Sequence, residues 1–334
     1  MPLLVSLVYQ KATFFKVAFF LTCISVMSGC NSHLPPSYAF ITNQLDDSVS
    51  IIDIASQRVI KTIDIGYGKR PAGVAVSKTG HQVFIANPEG LGVAIIDAKT
   101  LEVTHHIPVG SGPVGIVSND SGSRVYIADW YLHTVSILET SSANIISTIN
   151  VGKSPAGMIV DDKKQRLYIA NRDDNNVMII DTSTHQILQT IDVGTAPFGL
   201  ALSPSGQHLY SINVRSSNVS VIDTKQNKVI KTIDVGEWPY CAVVSPDGQT
   251  LYVTNQDDST ISVVNTQTYT VEATIDVGDA PEGIDITENG QFIYVANWGD
   301  GTVSIIDANL NQVISTLETG KGTRAFGQFI SQKQ

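Results

Sequence analysis

Short apolar runs separated by polar turns fill residues 38–330, and the pattern recurs every 42 residues. Pro71, Pro113, Pro155, Pro197, Pro239 and Pro281 stand at that interval. Sixteen residues after each comes Asn87, Asp129, Asn171, Asn213, Asn255 or Asn297. Within one unit, the run PYCAVVSP from Pro239 stops at Pro246-Asp247-Gly248, a turn signal. TLYVTN follows, then the polar QDDST, then ISVVNTQT and TVEATIDVG. The pattern predicts four short antiparallel strands per unit, labelled A to D from the inside outward. Strands A to C read as almost continuous apolar runs, as expected of a sheet covered on both faces. Strand D alternates more, as in Val229-Ile230-Lys231-Thr232-Ile233, which suits an outer edge. A period of this length containing only strands marks the blade of a β-propeller.

The ends of the period fix the blade count. Six units start at the prolines above. Ahead of them, SYAFITNQLDDSVSIIDIASQRVIKTIDIG supplies strands B, C and D without an A. After them, GKGTRAFGQFIS reads as a lone strand A. The expected fold is therefore all-β, a seven-bladed β-propeller of four-stranded antiparallel blades. Its C-terminal strand closes the ring by joining the three-stranded N-terminal blade. Gly66 to Pro71 and Gly320 to Ala325 are both five apart, against three in the other units, which suggests a shared two-residue insertion before strand A. Closure removes sheet edges that would pair with other chains.

Residues 252–255 read Tyr-Val-Thr-Asn, and the equivalent tetrapeptides read FITN, FIAN, YIAD, YIAN, YSIN and YVAN. With motifs like PxGVAVSPDG before and VSVIDT after, the chain resembles the YVTN family of β-propeller repeats over residues 38–330. That resemblance implies an exported or surface-associated protein and says far more about fold than about activity.

The N-terminus changes the picture from a bare ring to an exported one. Lys11 and Lys16 precede the apolar run Val17–Met27, which is too short to span a membrane. Met27-Ser28-Gly29-Cys30 resembles a bacterial lipoprotein signal, and this implies lipidation of Cys30. The expected organisation is a signal peptide over 1–29, a lipidated tether over 30–37 and the propeller over 38–334. Asn31 after the cysteine implies outer-membrane sorting, facing the periplasm or the cell surface. A plain secretory signal is the alternative. Beyond the signal only Cys241 remains, so no internal disulfide can form and stability rests on core burial. Without the two signal lysines, 19 Lys and Arg face 31 Asp and Glu, a net charge of −12. An acidic surface argues against nucleic-acid partners, and the membrane is expected to be met through the lipid alone.

Columns that the period holds constant read as scaffold. The glycine ending strand D (Gly66, Gly110, Gly152, Gly194, Gly236, Gly278, Gly320) suits a conformation that favours glycine. The Asn/Asp column and the acidic column ending strand C (Asp53 to Asp307) suit turn residues bonding nearby backbone. Columns that vary are where function is grafted. They follow the Asn column (Gln44, Pro88, Trp130, Arg172, Val214, Gln256, Trp298) or flank the prolines (Arg70 to Arg324 before, Ala72 to Phe326 after). All three tryptophans fall in these columns, on the face carrying the D–A and B–C loops, here called the top. They are read either as binding residues or as plugs between blades.

Blades starting at Pro239 and Pro281 depart most from the repeat. Cys241 replaces a glycine, Trp238 and Tyr240 flank Pro239, Glu282 is the single charge in its column, and Asp285 interrupts an apolar strand. The candidate ligand-binding set is Trp130, Tyr131, Arg172, Trp238, Tyr240, Cys241, Glu282, Trp298 and Asp300; repeat drift is the competing reading. Of seven histidines, only His133 shares a top loop with aromatic neighbours. No haem-attachment motif, nucleophile elbow, P-loop or EF-hand spacing occurs, so neither a metal nor a cofactor is expected. The expectation is a monomeric, non-enzymatic binding or scaffold lipoprotein taking an unknown protein segment or small ligand on its top face. A lactonase-like hydrolase, a cofactor-dependent redox propeller and a surface adhesin are the alternatives. Glu282, Asp285, Asp300 and His133 converging at metal-ligand distances would favour an enzyme.

Overall fold

The computed structural model describes residues 37–331, apart from residues 67 and 80. The expected signal segment, Cys30 and the tether up to residue 36 lie outside the described residues. Six four-stranded antiparallel sheets and one three-stranded sheet form seven blades. The blade of Pro239 is typical, with strands Pro239–Val244, Thr250–Asn255, Thr260–Asn265 and Thr270–Asp276 paired in sequence order. Blades 1 to 6 start at Pro71 through Pro281; blade 7 is shared by the termini. No described helix is long and apolar enough to cross a membrane.

The apolar runs of A to C become the interfaces between blades. Tyr210, Ile212, Val219 and Val221 of blade 4 pack against Val244, Leu251, Val253 and Val264 of blade 5. Burying an aliphatic side chain of this size contributes about 1.5–3 kcal/mol, and every interface repeats the arrangement. Blade 7 joins both neighbours in one cluster, from Val74 and Val76 of blade 1 to Tyr294, Val303 and Ile305 of blade 6. Each strand D carries a bulge against strand C, visible as a register shift in all seven blades. Ile60 and Ile230 are such extra residues, which explains their exposure. Bulges twist an outer edge away from pairing with another chain.

Glycine roles differ from expectation. Of the column ending strand D, only Gly66 has a positive φ, +104°. The others are needed for close approach. At Gly152 a Cβ would lie 2.5 Å from the Asn171 side chain, and at Gly110 it would lie 2.1 Å from the Asp129 carboxylate. The Asn column also acts across the hairpin rather than on local backbone. Asn255 donates to Thr260 and Ser262, and Asn297 to Thr302 and Ser304, at 2.9–3.0 Å. Two members do bond local backbone: Asn87 donates to the Ile85 carbonyl, and Asp129 accepts four backbone N–H groups, from Ser111, Gly112, Tyr131 and Leu132. The column ending strand C behaves as expected. Asp181 accepts the N–H groups of Ser183 and Thr184, and with the Ser183 hydroxyl they lower its carboxyl to about 2.

The C-terminal segment closes blade 7, but as an interrupted strand. Arg324 N–H donates to the Thr42 carbonyl, Phe40 N–H to Phe329, and Ser331 N–H to Tyr38, at 2.8–2.9 Å. The shared insertion before strand A is not where the sequence suggested. Thr323 pairs with Asn43 as Pro281 pairs with Asn297. Gln44 N–H donates to Gly322 as Trp298 N–H donates to Ala280. Ile330 then pairs with Ala39 as Val160 pairs with Leu167, so seven steps of the clasp span what five do elsewhere. The two extra residues bulge inside the clasp, where Ala325 and Gly327 have φ of 52° and 100°. Arg324 therefore shares a column with Tyr240 and Glu282, two residues away from the position read off the sequence.

Candidate functional site at the top mouth of the ring

Two tiers of residues surround the axis at the top. The lower tier is the first residue after the proline position of strand A. Around half the ring it is small (Ala72, Val114, Ala156); around the other half it is Phe198, Tyr240, Glu282 and Arg324. The upper tier comes from the residue after the Asn column, which leads into each B–C loop. Trp130, Arg172, Val214, Gln256 and Trp298 of that tier, with Trp238 from a D–A loop, complete a cavity of about 440 Å³. The columns that vary between repeats are thus the ones that meet.

Trp238 sits at this mouth at a cost. Its φ is 54°, a left-handed conformation shared by Ser154, Ala196 and Ala280 in the same loop position. That conformation costs an L-residue roughly 1–2 kcal/mol, and the ring remains 38 % exposed.

The charges at the mouth are ordered. The guanidinium of Arg324 grips Glu282 with two bonds, Nε to Oε2 at 2.6 Å and Nη2 to Oε1 at 3.1 Å. Gln256 donates to the same Oε1 at 2.7 Å. Arg324 also donates to Gln44 at 2.9 Å and lies 4.6 Å from the Phe326 ring centre. Burial pushes the Glu282 carboxyl up, and Arg324 and Gln256 only partly offset it. The phenol of Tyr240 is pushed up by burial and then by the Glu282 charge. Arg172 stacks 5.7 Å over the Trp130 ring and spends Nη1 on Asp173 at 2.8 Å.

Phe198, Tyr240 and Phe326 form the floor, with ring centres 4.2–5.4 Å apart. Below lies a second cavity of about 390 Å³, the axial channel. Met158, Leu200, Cys241 and Asp285 are among its lining residues.

Six of the nine residues singled out from the sequence line the mouth: Trp130, Arg172, Trp238, Tyr240, Glu282 and Trp298. Cys241 lies beneath, in the channel, with a thiol pushed up by burial and by Glu282. Tyr131 is 69 % exposed and lies over Gly112, outside the mouth. Asp300 is a loop clamp, accepting the Asp279 N–H at 3.1 Å and the Thr302 hydroxyl at 2.7 Å. His133 accepts the Ser154 N–H. Asp285 fastens the clasp, accepting the N–H groups of Phe329 and Ile330 at 2.9 Å each. Glu282, Asp285, Asp300 and His133 do not converge, and no group of three or more metal-ligating side chains occurs among the described residues. Phe198, Val214, Gln256 and Arg324 were missed as site residues, although each stood in a variable column.

The fold defines a seven-bladed propeller with one built mouth. Residues 79–166 match the family described as YNCE-like beta-propeller, and residues 222–325 match Lactonase, 7-bladed beta-propeller. Among solved structures, hydrazine synthase of Kuenenia stuttgartiensis is similar with a TM-score of 0.71 at 21 % identity, over 77 % of this chain and 89 % of that one. A functionally unknown protein of Desulfotomaculum acetoxidans DSM 771 gives 0.79 at 14 %, over 89 % and 99 %. The dihydro-heme d1 dehydrogenase NirN, in complex with DHE, gives 0.65 at 14 %, over 85 % and 64 %. At such identities the likeness is one of fold. No curated protein matches the sequence. The expectation of a non-enzymatic chain is corrected here: the lactonase match over 222–325 points to propellers of the enzyme type, and NirN shows a dehydrogenase on the same fold.

Proposed function

We propose that the chain is a propeller of the enzyme type whose top mouth takes a small organic substrate, with opening of a lactone as the reaction class. The observation that carries this is the convergence of the variable columns on one cavity. Its size suits a small molecule. The segment matching the lactonase family supplies six of the ten lining residues: Trp238, Tyr240, Gln256, Glu282, Trp298 and Arg324. In lactone opening, water adds to the carbonyl carbon, the ring C–O bond breaks, and a proton ends on the ring oxygen. Glu282 is the one carboxylate lining the mouth. Burial raises its basicity, and Oε2 accepts a single bond, so it has a lone pair left for a proton. Arg172 is the donor open to the developing oxyanion.

The test is pH-stat titration of the purified protein with γ-butyrolactone and δ-valerolactone. Acid release above buffer, lost in an Arg172→Gln variant with the native melting profile and in a Glu282→Gln variant assayed well below its own melting midpoint, supports the reading. No release from either lactone overturns it. Export and lipid anchoring at Cys30 belong to the same proposal. Cys30→Ser moving the chain from the membrane fraction to the soluble fraction supports anchoring, and an unchanged distribution refutes it.

A further inference from the structure

An aromatic-walled mouth with a carboxylate in its floor can serve two opposite chemistries. Tryptophan and tyrosine faces around an acid form a cage for a quaternary ammonium ion. The same faces beside a free guanidinium take a planar anion. The hydrogen bonds decide between them.

Glu282 is 2 % exposed, and both its oxygens are occupied by Arg324 and Gln256. Its charge is cancelled by the guanidinium that grips it. Arg324 is equally spent, with Nε, Nη1 and Nη2 all donating within the floor. That leaves Arg172. Only its Nη1 is bonded among the described residues, so the other donors of a rigid fork remain. Each guanidinium is charge-paired, Arg324 with Glu282 and Arg172 with Asp173, so open hydrogen-bond donors rather than net charge distinguish the mouth. The Trp298 indole N–H is buried beside Gly322 and is not one of these donors. The fork of Arg172 thus keeps open donors at this mouth, while the charge of Glu282 is already matched by Arg324.

We infer that the mouth selects a planar organic anion, a carboxylate on an aromatic or conjugated body. The carboxylate meets Arg172, and the planar body lies against the tryptophan faces. This rests on the proposed small-molecule site and specifies its ligand: an anion is favoured over a cation because Arg172 offers open donors while Glu282 is already paired with Arg324. Arg172 already stacks on Trp130, so its fork is oriented before a ligand arrives.

All three tryptophans of the chain line this mouth, so intrinsic fluorescence reports on the site alone. The experiment titrates the full chain with benzoate, benzamide and tetramethylammonium, following tryptophan emission. Benzoate is expected to give a saturable change, with benzamide about tenfold weaker or worse and tetramethylammonium silent. Arg172→Gln, checked by its melting curve, is expected to lose the preference for benzoate over benzamide while still responding to both. Saturation by tetramethylammonium or equal affinity for benzamide overturns the anion inference and leaves the mouth a ligand site. Silence of all three probes overturns both the inference and the site beneath it.

Discussion

Replacing Arg324 with methionine tests the floor of the mouth and the clasp together. The guanidinium is brought by the C-terminal segment, grips Glu282 of blade 6 and reaches Gln44 of blade 7. Glu282 is almost fully buried, and the Arg324 side chain is 19 % exposed. Deleting one partner of a buried pair costs about 3–5 kcal/mol, because the other charge is left without compensation. At about 2.1 cal/mol/K per residue, a ring of roughly 300 residues loses about 1.6 °C per kcal/mol, so the melting midpoint should fall by about 5–8 °C. The loss should depend on pH with a definite sign. Glu282 already has a raised pKa, and without Arg324 it rises further. A carboxyl raised in the folded state contributes fully below its unfolded value and loses that contribution as pH rises through the folded one. The gap between native chain and variant should therefore be small near pH 4 and widen toward pH 8. Thermal melts followed by far-UV circular dichroism at several pH values measure this. A midpoint within 2 °C of the native chain at pH 7, or a gap that narrows as pH rises, would refute the reasoning.

Four further outcomes are expected. Trp238→Ala should leave the melting midpoint unchanged or higher, since alanine already occupies the same left-handed position in two other blades, while benzoate binding weakens; a clear loss of stability would mean the ring is a structural plug. Gly115→Ala should destabilise by more than about 2 kcal/mol in denaturant titration, because its Cβ would lie 1.8 Å from the Ala156 carbonyl oxygen and force two blades apart; a neutral result would contradict the packing. Asp285, raised by burial to about 6 against the pull of three backbone N–H groups, should lose stability relative to Asp285→Asn as pH rises from about 4 to 7, by up to roughly 3 kcal/mol; parallel pH profiles of the two melts would sink this. Deleting residues 323–334 should remove the clasp and expose the inner edge of blade 7, giving an aggregating chain by light scattering; a soluble truncation with native melting would show that the ring closes without it.

The propeller was legible in the chain because each blade is built from local chemistry. Period-two strands, Pro-Asp-Gly turns and hairpin loops are all encoded within 42 residues, and stacking identical units leaves little choice of architecture. The repeat also separated scaffold from site, since the columns that vary supplied every residue lining the mouth. The clasp defeated that reasoning. A bulge inside a terminal strand is invisible to spacing, so Arg324 was placed in the wrong column and its partnership with Glu282 went unseen. Asp300 and Tyr131 resembled site residues because they sit in top loops, yet one is spent on a backbone clamp and the other faces solvent.

The blade, the number of blades and the face on which variation gathers follow from short-range periodicity along the chain. The electrostatics of the mouth arise from folding instead. That Glu282 is neutralised and Arg324 is spent depends on contacts between residues 26 to 280 positions apart, and no local pattern records them.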